Sequence, residues 1–518
     1  MAVRALLLIA LLALICATQT SSGEPTTMVK RVRIDQLPMQ SADWVLNPYW
    51  EEYLVLNHYI YLYRSVLPRL TEYSVTPGPL QRRLASQTSR VLRERLARQG
   101  SGDPLLLNKA LGMRERDSSR VAGFRFRASP YFQELDARGE NPVHRVGVNA
   151  ETWLLSGAYW QVYVRGRLEN KGELYPQFSG RIWKDKITGW FDNAAVYFYK
   201  DGFFGSFGRS YIVWGPEQHD ALLISDNSPP FDRLWLGYEN KIFRFDYLVT
   251  RLDNAVSNDS VMVRYLAAHR LSFRKTGWFE LGLSEVVLFG GYNRPIDWHY
   301  LNPFLSYYWE QWNDRTNDNI LFGADLVVYW PRRARIFSEL LVDDFQIDFS
   351  SEPQQVGYKI GLDAVEPFNV RRIFTKLSYT RVNTTVYGQD RPQNLYLHDG
   401  QPIGYFGGND LDRWLALLRY HLSATFDLEV ELQYNRKGED RIELQPNAVP
   451  HGLGFPSGVV EKSRSVSARL FFLTKEFLTG HCQVSYTHDE NYRHREGESR
   501  TRLGVDFLIS WYLSGCIQ

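Results

Sequence analysis

The sequence predicts an all-β transmembrane barrel of about 18 antiparallel strands, preceded by an α-helical segment on its periplasmic side. Three observations predict it. The chain opens on a short apolar export leader. From about residue 120 the apolar period becomes two and stays so to the end. The alternating segments are long, and their polar faces carry full charges.

The leader comes first. Arg4 gives a positive start, Ala5 to Ala17 is almost wholly apolar, and Thr18 to Gly23 is small and polar. That order is the pattern of a secretory signal peptide, here assigned to residues 1–22. The apolar run is too short for a membrane helix, which needs about 20 residues. Ile15 before Cys16 is the wrong size for a lipoprotein signal. Residues 23–119 form a second zone with helical periodicity. Leu80, Leu84, Val91, Leu92 and Leu96 recur at helical spacing among six arginines, and Pro77, Gly78 and Pro79 break this helix from the one before it. The arginines read as a solvated face, diluted by Glu94. This zone is the expected periplasmic helical segment, or plug.

The third zone, residues 120–518, is the expected barrel. In Ile242 to Arg251, Phe243, Phe245, Tyr247 and Val249 oppose Arg244, Asp246 and Thr250. In Trp278 to Phe289, Phe279, Leu281, Leu283, Val287 and Phe289 oppose Glu280, Gly282 and Ser284. Successive strand residues point to opposite faces, so each strand has one greasy and one wet side. A soluble sandwich alternates too. The segments run about 9–13 residues, however, which is the length a tilted strand needs to cross a bilayer. Strands are expected to begin near Val121, Arg145, Tyr159, Asn193, Phe203, Arg233, Ile242, Val261, Trp278, Asn319, Arg335, Val356, Ile373, Arg413, Thr425, Ser465, Gly480 and Arg502. Long connections lie at 214–232, 290–317, 383–412 and 437–462, and the barrel pattern puts such loops outside the cell. Aromatic content of 14% suits interfacial girdles.

Composition narrows the function. A net charge of +2 gives no argument for nucleic acid. With only Cys16, Cys482 and Cys516, a disulfide scaffold is excluded. Cys482 and Cys516 could pair or stand alone. Asp343 and Asp344 are adjacent on a strand and cannot converge as a glycosidase pair. Asp410 and Asp412 sit in a Gly-rich loop, read as solvated or at most calcium-like. His481, His488 and His494 match no zinc spacing. No nucleophile elbow or phosphate loop is present. No enzyme, cofactor or metal is expected.

One stretch is distinctive. Gly208-Arg209-Ser210-Tyr211-Ile212-Val213-Trp214-Gly215-Pro216 is followed by Ser225-Asp226-Asn227-Ser228-Pro229-Pro230-Phe231. Further on stand Asn293-Arg294-Pro295, Tyr300-Leu301-Asn302-Pro303-Phe304, Glu366-Pro367-Phe368 and Tyr379-Thr380-Arg381-Val382-Asn383. These segments resemble the Wzi family of capsule assembly proteins, over roughly Arg120 to the end. The resemblance implies a multi-pass outer-membrane barrel and a non-enzymatic role in binding, anchoring or assembling capsular or extracellular polysaccharide. It implies outer-membrane lipid and polysaccharide export machinery as further partners. The alternative is a porin or sugar-selective channel.

Sugar polymers are held by aromatic faces and by groups that meet hydroxyls and carboxylates, for which the arginine fork is well suited. Two candidate groups follow. One is Trp298, Tyr300, Tyr308, Trp309, Trp312 and Arg315, a possible glycan platform; the same aromatics could instead pack a folded loop or join a membrane girdle. The other is Arg209, Trp214, Asp226 and Asn227, whose Asp and Asn could equally cap local backbone.

Overall fold

The structure, a computed structural model, describes residues 122–517 apart from 138–141, 157–158, 176–177, 179, 185, 218–219, 241, 258–259, 276–277, 315, 331–333, 344–354, 424, 444–453, 474–477 and 512. The expected leader and helical segment lie outside the described residues.

Eighteen long strands form one antiparallel wall. They are β1 Ala122–Ala137, β2 Val143–Ser156, β3 Trp160–Glu169, β4 Ile187–Lys200, β5 Phe203–Ser210 and β6 Phe231–Glu239. Next come β7 Phe243–Arg251, β8 Ser260–Lys275, β9 Phe279–Tyr292, β10 Asn319–Trp330, β11 Ala334–Val342 and β12 Val356–Val365. The last six are β13 Ile373–Val382, β14 Leu411–His421, β15 Phe426–Lys437, β16 Glu461–Leu473, β17 Leu478–Glu490 and β18 Ser499–Trp511. Every strand start expected from sequence falls inside or beside one of these. The wall closes where β1 pairs with β18, Tyr131 opposite Ser510 through Ala137 opposite Gly504. A short extension, Leu513–Ile517, continues the seam along Phe124 to Ala128. Closure leaves no edge strand unpaired, which lipid demands because it cannot hydrogen-bond a free N–H or C=O.

The two rims differ. The β2–β3, β4–β5, β6–β7, β8–β9 and β10–β11 connections are tight turns at one rim. The long connections, including all four expected ones, lie at the other, with 170–186 and 343–355 added. By the barrel pattern the turn rim is periplasmic and the loop rim extracellular.

The faces are inside-out relative to a soluble protein. On β12, Tyr358, Ile360 and Leu362 are exposed, while Lys359 and Asp363 are buried. On β11, Ile336 and Leu340 face out, while Arg335 and Glu339 face in. Inward charges are paired, as Arg335 with Asp363 at 2.8 Å and Arg270 with Asp325. Exposed Trp160, Trp278, Trp330 and Trp511 ring the turn rim, and Trp183 and Trp414 lie toward the loop rim. Such girdles mark both interfaces of a membrane barrel. Cys482 is a free thiol, and its register opposite outward-facing Phe507 puts it on the outer face.

An outward charge should therefore be costly and an inward one should not. Ile360→Arg, midway along β12, is expected to cost about 2–4 kcal/mol in reversible unfolding from lipid vesicles. Ser467→Arg, on the wet face of β16, should cost far less. Equal costs would contradict lipid on the outer face.

Candidate functional site

The lumen holds folded loops. Two long loops turn inward and pack against the inner face of β5–β14. The first, 211–230, carries Ile212, Trp214, Leu222, Leu223 and Ile224; the second, 383–410, carries Val386, Tyr387, Tyr396, Ile403 and Tyr405. They join one apolar core with inward Phe204, Trp235, Leu248, Leu266, Val286, Leu288, Leu321 and Leu341. The loops also bond to each other. Tyr396 donates to the Leu223 carbonyl at 2.9 Å, Ser225 N–H to the Ile403 carbonyl at 2.9 Å, and Asn227 to the Pro402 carbonyl at 2.9 Å.

Charges fix this plug of two inward loops to the wall. Lys359, fully inside, lies 2.9 Å from Glu217 and 3.5 Å from Glu339. Lys376 also pairs with Glu217, and Glu339 accepts the Leu222 N–H at 2.8 Å. Burial alone would push the Glu217 carboxyl up, but Lys359 and Lys376 outweigh it and hold the group well below the usual carboxylate range. A carboxyl depressed in this way stabilises the folded plug fully above the ordinary range, and that contribution fades as pH falls through the folded value.

A third loop, 170–186, covers the inner face of β1–β4. Tyr175 lies 3.7 Å beneath the Arg145 guanidinium, and Phe178 meets Trp190 edge-on at 5.1 Å. Along β15–β18 the inner face is different. Glu431, Gln433, Ser465, Ser467, Gln483 and Ser485 are all half-buried, so a polar furrow runs beside the plug. On the plug side of it, Phe406 is 45% exposed and stacks under Arg413 at 5.1 Å. Arg413 also reaches Asp220 at 3.3 Å and Tyr405 at 3.5 Å, while its Nε meets no acceptor among the described residues. An accessible aromatic face beside a guanidinium, a carboxylate, amides and hydroxyls is chemistry that suits a hydroxylated, anionic chain.

Sequence reasoning missed this furrow, because its residues come from five separate segments. It did select residues that the structure disperses. Trp214 is buried in the plug core, and Asp226 and Asn227 lie in the same loop. Arg209 is on the opposite side of the wall, donating to exposed Asp232 at 2.9 Å. The barrel wall separates what five residues of sequence had joined. Asp410, expected to be solvated, is fully buried. It accepts from Thr384 at 2.9 Å, Ser457 N–H at 3.0 Å and Asp440 N–H at 3.1 Å, and so ties loop 383–410 to loop 438–460. Asp412 is also buried and pairs with Arg436 at 2.9 Å. Asp343 accepts the Tyr387 N–H, while Asp344 and Arg315 lie outside the described residues.

The other aromatic group does stay together, but not in the lumen. Loop 293–318 folds back over the outer wall and carries a short helix, α1 Tyr307–Asp314. Tyr300 and Tyr307 are buried against outward-facing Ala267, Val287, Phe289 and Ile320. Tyr308 meets outward Phe322 at 5.7 Å. Trp298, Trp309 and Trp312 are highly exposed. A pin holds the base of the loop: Arg294 pairs with Asp318, which also accepts from Tyr300 at 2.8 Å.

Comparison with known proteins places this architecture. Among solved structures, the Escherichia coli outer-membrane protein Wzi, described as a carbohydrate-binding β-barrel involved in group 1 capsule assembly, superposes with a TM-score of 0.58 at 15% identity. The match covers 88% of this chain and 97% of that one. Pseudomonas aeruginosa OpdQ superposes at 0.45 with 10% identity, covering 77% of this chain and 100% of that one. No curated protein sequence matches. The sequence profile of capsule assembly protein Wzi matches residues 114–501. With that profile over most of the chain and an inside-out barrel of eighteen strands, this outer-membrane protein belongs to the Wzi family of capsule assembly proteins.

Proposed function

We propose that the chain holds capsular or extracellular polysaccharide at the cell surface without altering it chemically, and that the furrow beside the plug is where the polymer rests. The carrying observation is the pairing of loops anchored inside the lumen with an accessible strip of sugar-compatible groups, centred on Phe406 and Arg413. Family membership supports the polysaccharide. The carboxylates and histidines support a non-enzymatic role: Asp343, Asp410 and Asp412 are committed to structural bonds, and His421 and His481 to Asp427 and Asp506. Export machinery that delivers the polymer is the further partner this role requires.

Deleting the gene should lower cell-bound polysaccharide and raise the released fraction, as read by staining both. Restoring the chain with Phe406→Ala and Arg413→Ala together should give normal outer-membrane amounts but poor retention. Full retention by that variant would move the binding surface elsewhere.

The channel reading makes the opposite prediction. Intact protein in planar bilayers should give no steady conductance from about pH 8 to about pH 5, since the Glu217 pair stays ionised there. Glu217→Gln leaves two lysines short of their buried partner, a loss of about 3–5 kcal/mol for pairs of this kind. Intermittent openings are expected from it. Steady current through the unaltered chain would favour a channel.

A further inference from the structure

The outer wall carries a carboxylate and an imidazole in contact where lipid should be. Glu285 on β9 and His269 on β8 sit opposite one another in the register, in line with Leu283 and Val287 on the outward face. Their side chains meet at 3.0 Å. From Trp278 in the turn-rim girdle to Glu285, a tilted strand climbs about 18 Å of an apolar band about 25 Å tall. The pair therefore lies in the outer-leaflet half of the membrane, where a bare charge is costly.

Loop 293–318 covers it. Tyr307 lies over His269 at 4.5 Å between ring centres. Glu285 accepts the Tyr308 N–H at 2.7 Å and the Ser306 hydroxyl at 3.2 Å. A wall carboxylate thus satisfies the first turn of α1, where helix N–H groups lack partners and the dipole favours negative charge. The clamp presents the helix's other side outward. Phe304 is 84%, Trp309 73% and Trp312 63% exposed, and Phe304 stacks on outward Phe245 at 5.5 Å. This surface is continuous with the lipid-facing wall.

We propose that loop 293–318 is a lateral membrane-inserting element, fastened by Glu285 and His269, whose Phe304, Trp309 and Trp312 embed among the acyl chains of the outer leaflet. The occupant is lipid because the patch adjoins the apolar band, stands at its upper half and is built of the rings that favour the interface. The element widens the barrel's grip on the leaflet along β7–β10. It is independent of the furrow and of polysaccharide.

The test is a nitroxide at Trp312→Cys, with the other cysteines replaced by serine, in the full chain reconstituted in phosphatidylcholine vesicles. Collisions with oxygen should exceed those with a water-soluble nickel chelate several-fold, as at an Ile360→Cys control and unlike an Arg493→Cys control on the exposed β17–β18 loop. Chelate access equal to the Arg493 control would overturn the proposal and return the tryptophans to the aqueous, glycan-facing side. Protection from both reagents would overturn it in favour of contact with a second protein. Adding Glu285→Gln should raise nitroxide mobility and chelate access at position 312. An unchanged spectrum would remove Glu285 as the fastener.

Discussion

A wall without a free edge is the condition on which the other features rest. Each backbone group in the bilayer must find its partner in the neighbouring strand, and the β1–β18 seam completes the ring. Once the ring is closed, strand parity decides everything else. Alternate residues face outward or inward, toward lipid or lumen unless a loop folds over them. Lys359 is tolerable because its face is inward and meets Glu217, while Ile360 next to it needs no partner at all.

Parity also governs how much could be read from sequence. The eighteen strands and four long loops were legible because a helix or an irregular loop cannot keep charged and apolar side chains in strict alternation over a bilayer-spanning length. The plug was not, since the loops that form it carry no period. Yet a trace of it is visible in β9. There Glu285 interrupts the greasy face, and Val286 and Leu288 interrupt the wet one. Both departures have a physical cause in the fold. The inward pair meets the plug, and the outward glutamate meets α1. A break in alternation on both faces at once is the mark of a strand covered twice.

The candidate residues divide along the same line. Arg209 and Trp214 are near neighbours in sequence, but one belongs to a strand's outer face and the other to a loop that has entered the barrel. Reading them as one group required a contact that the wall forbids. The aromatic cluster at 298–312 held together because it lies within a single loop, where nearness in sequence does mean nearness in space. Its destination was beyond reach, since aromatics serve equally a sugar face, a folded loop and a lipid interface. Glu285 and His269, on strands upstream of α1, support the lipid reading proposed above.

The resulting barrel is uneven around its circumference. Along β7–β10 there are three layers, with plug residues inside, the wall between, and loop 293–318 outside. Along β15–β18 the described residues form a single layer, with half-buried polar side chains within. An apolar layer on each face makes the first sector resistant to water and poorly suited to a hydrated polymer. In the second, the inward side chains from Glu431 to Ser485 keep some contact with solvent, and a hydroxylated chain can replace that water bond for bond. The thick sector and the thin one are thus complementary. Loops packed on one side of the lumen leave Phe406 and Arg413 open on the furrow side, and that unevenness of the wall is what supports the site proposed there.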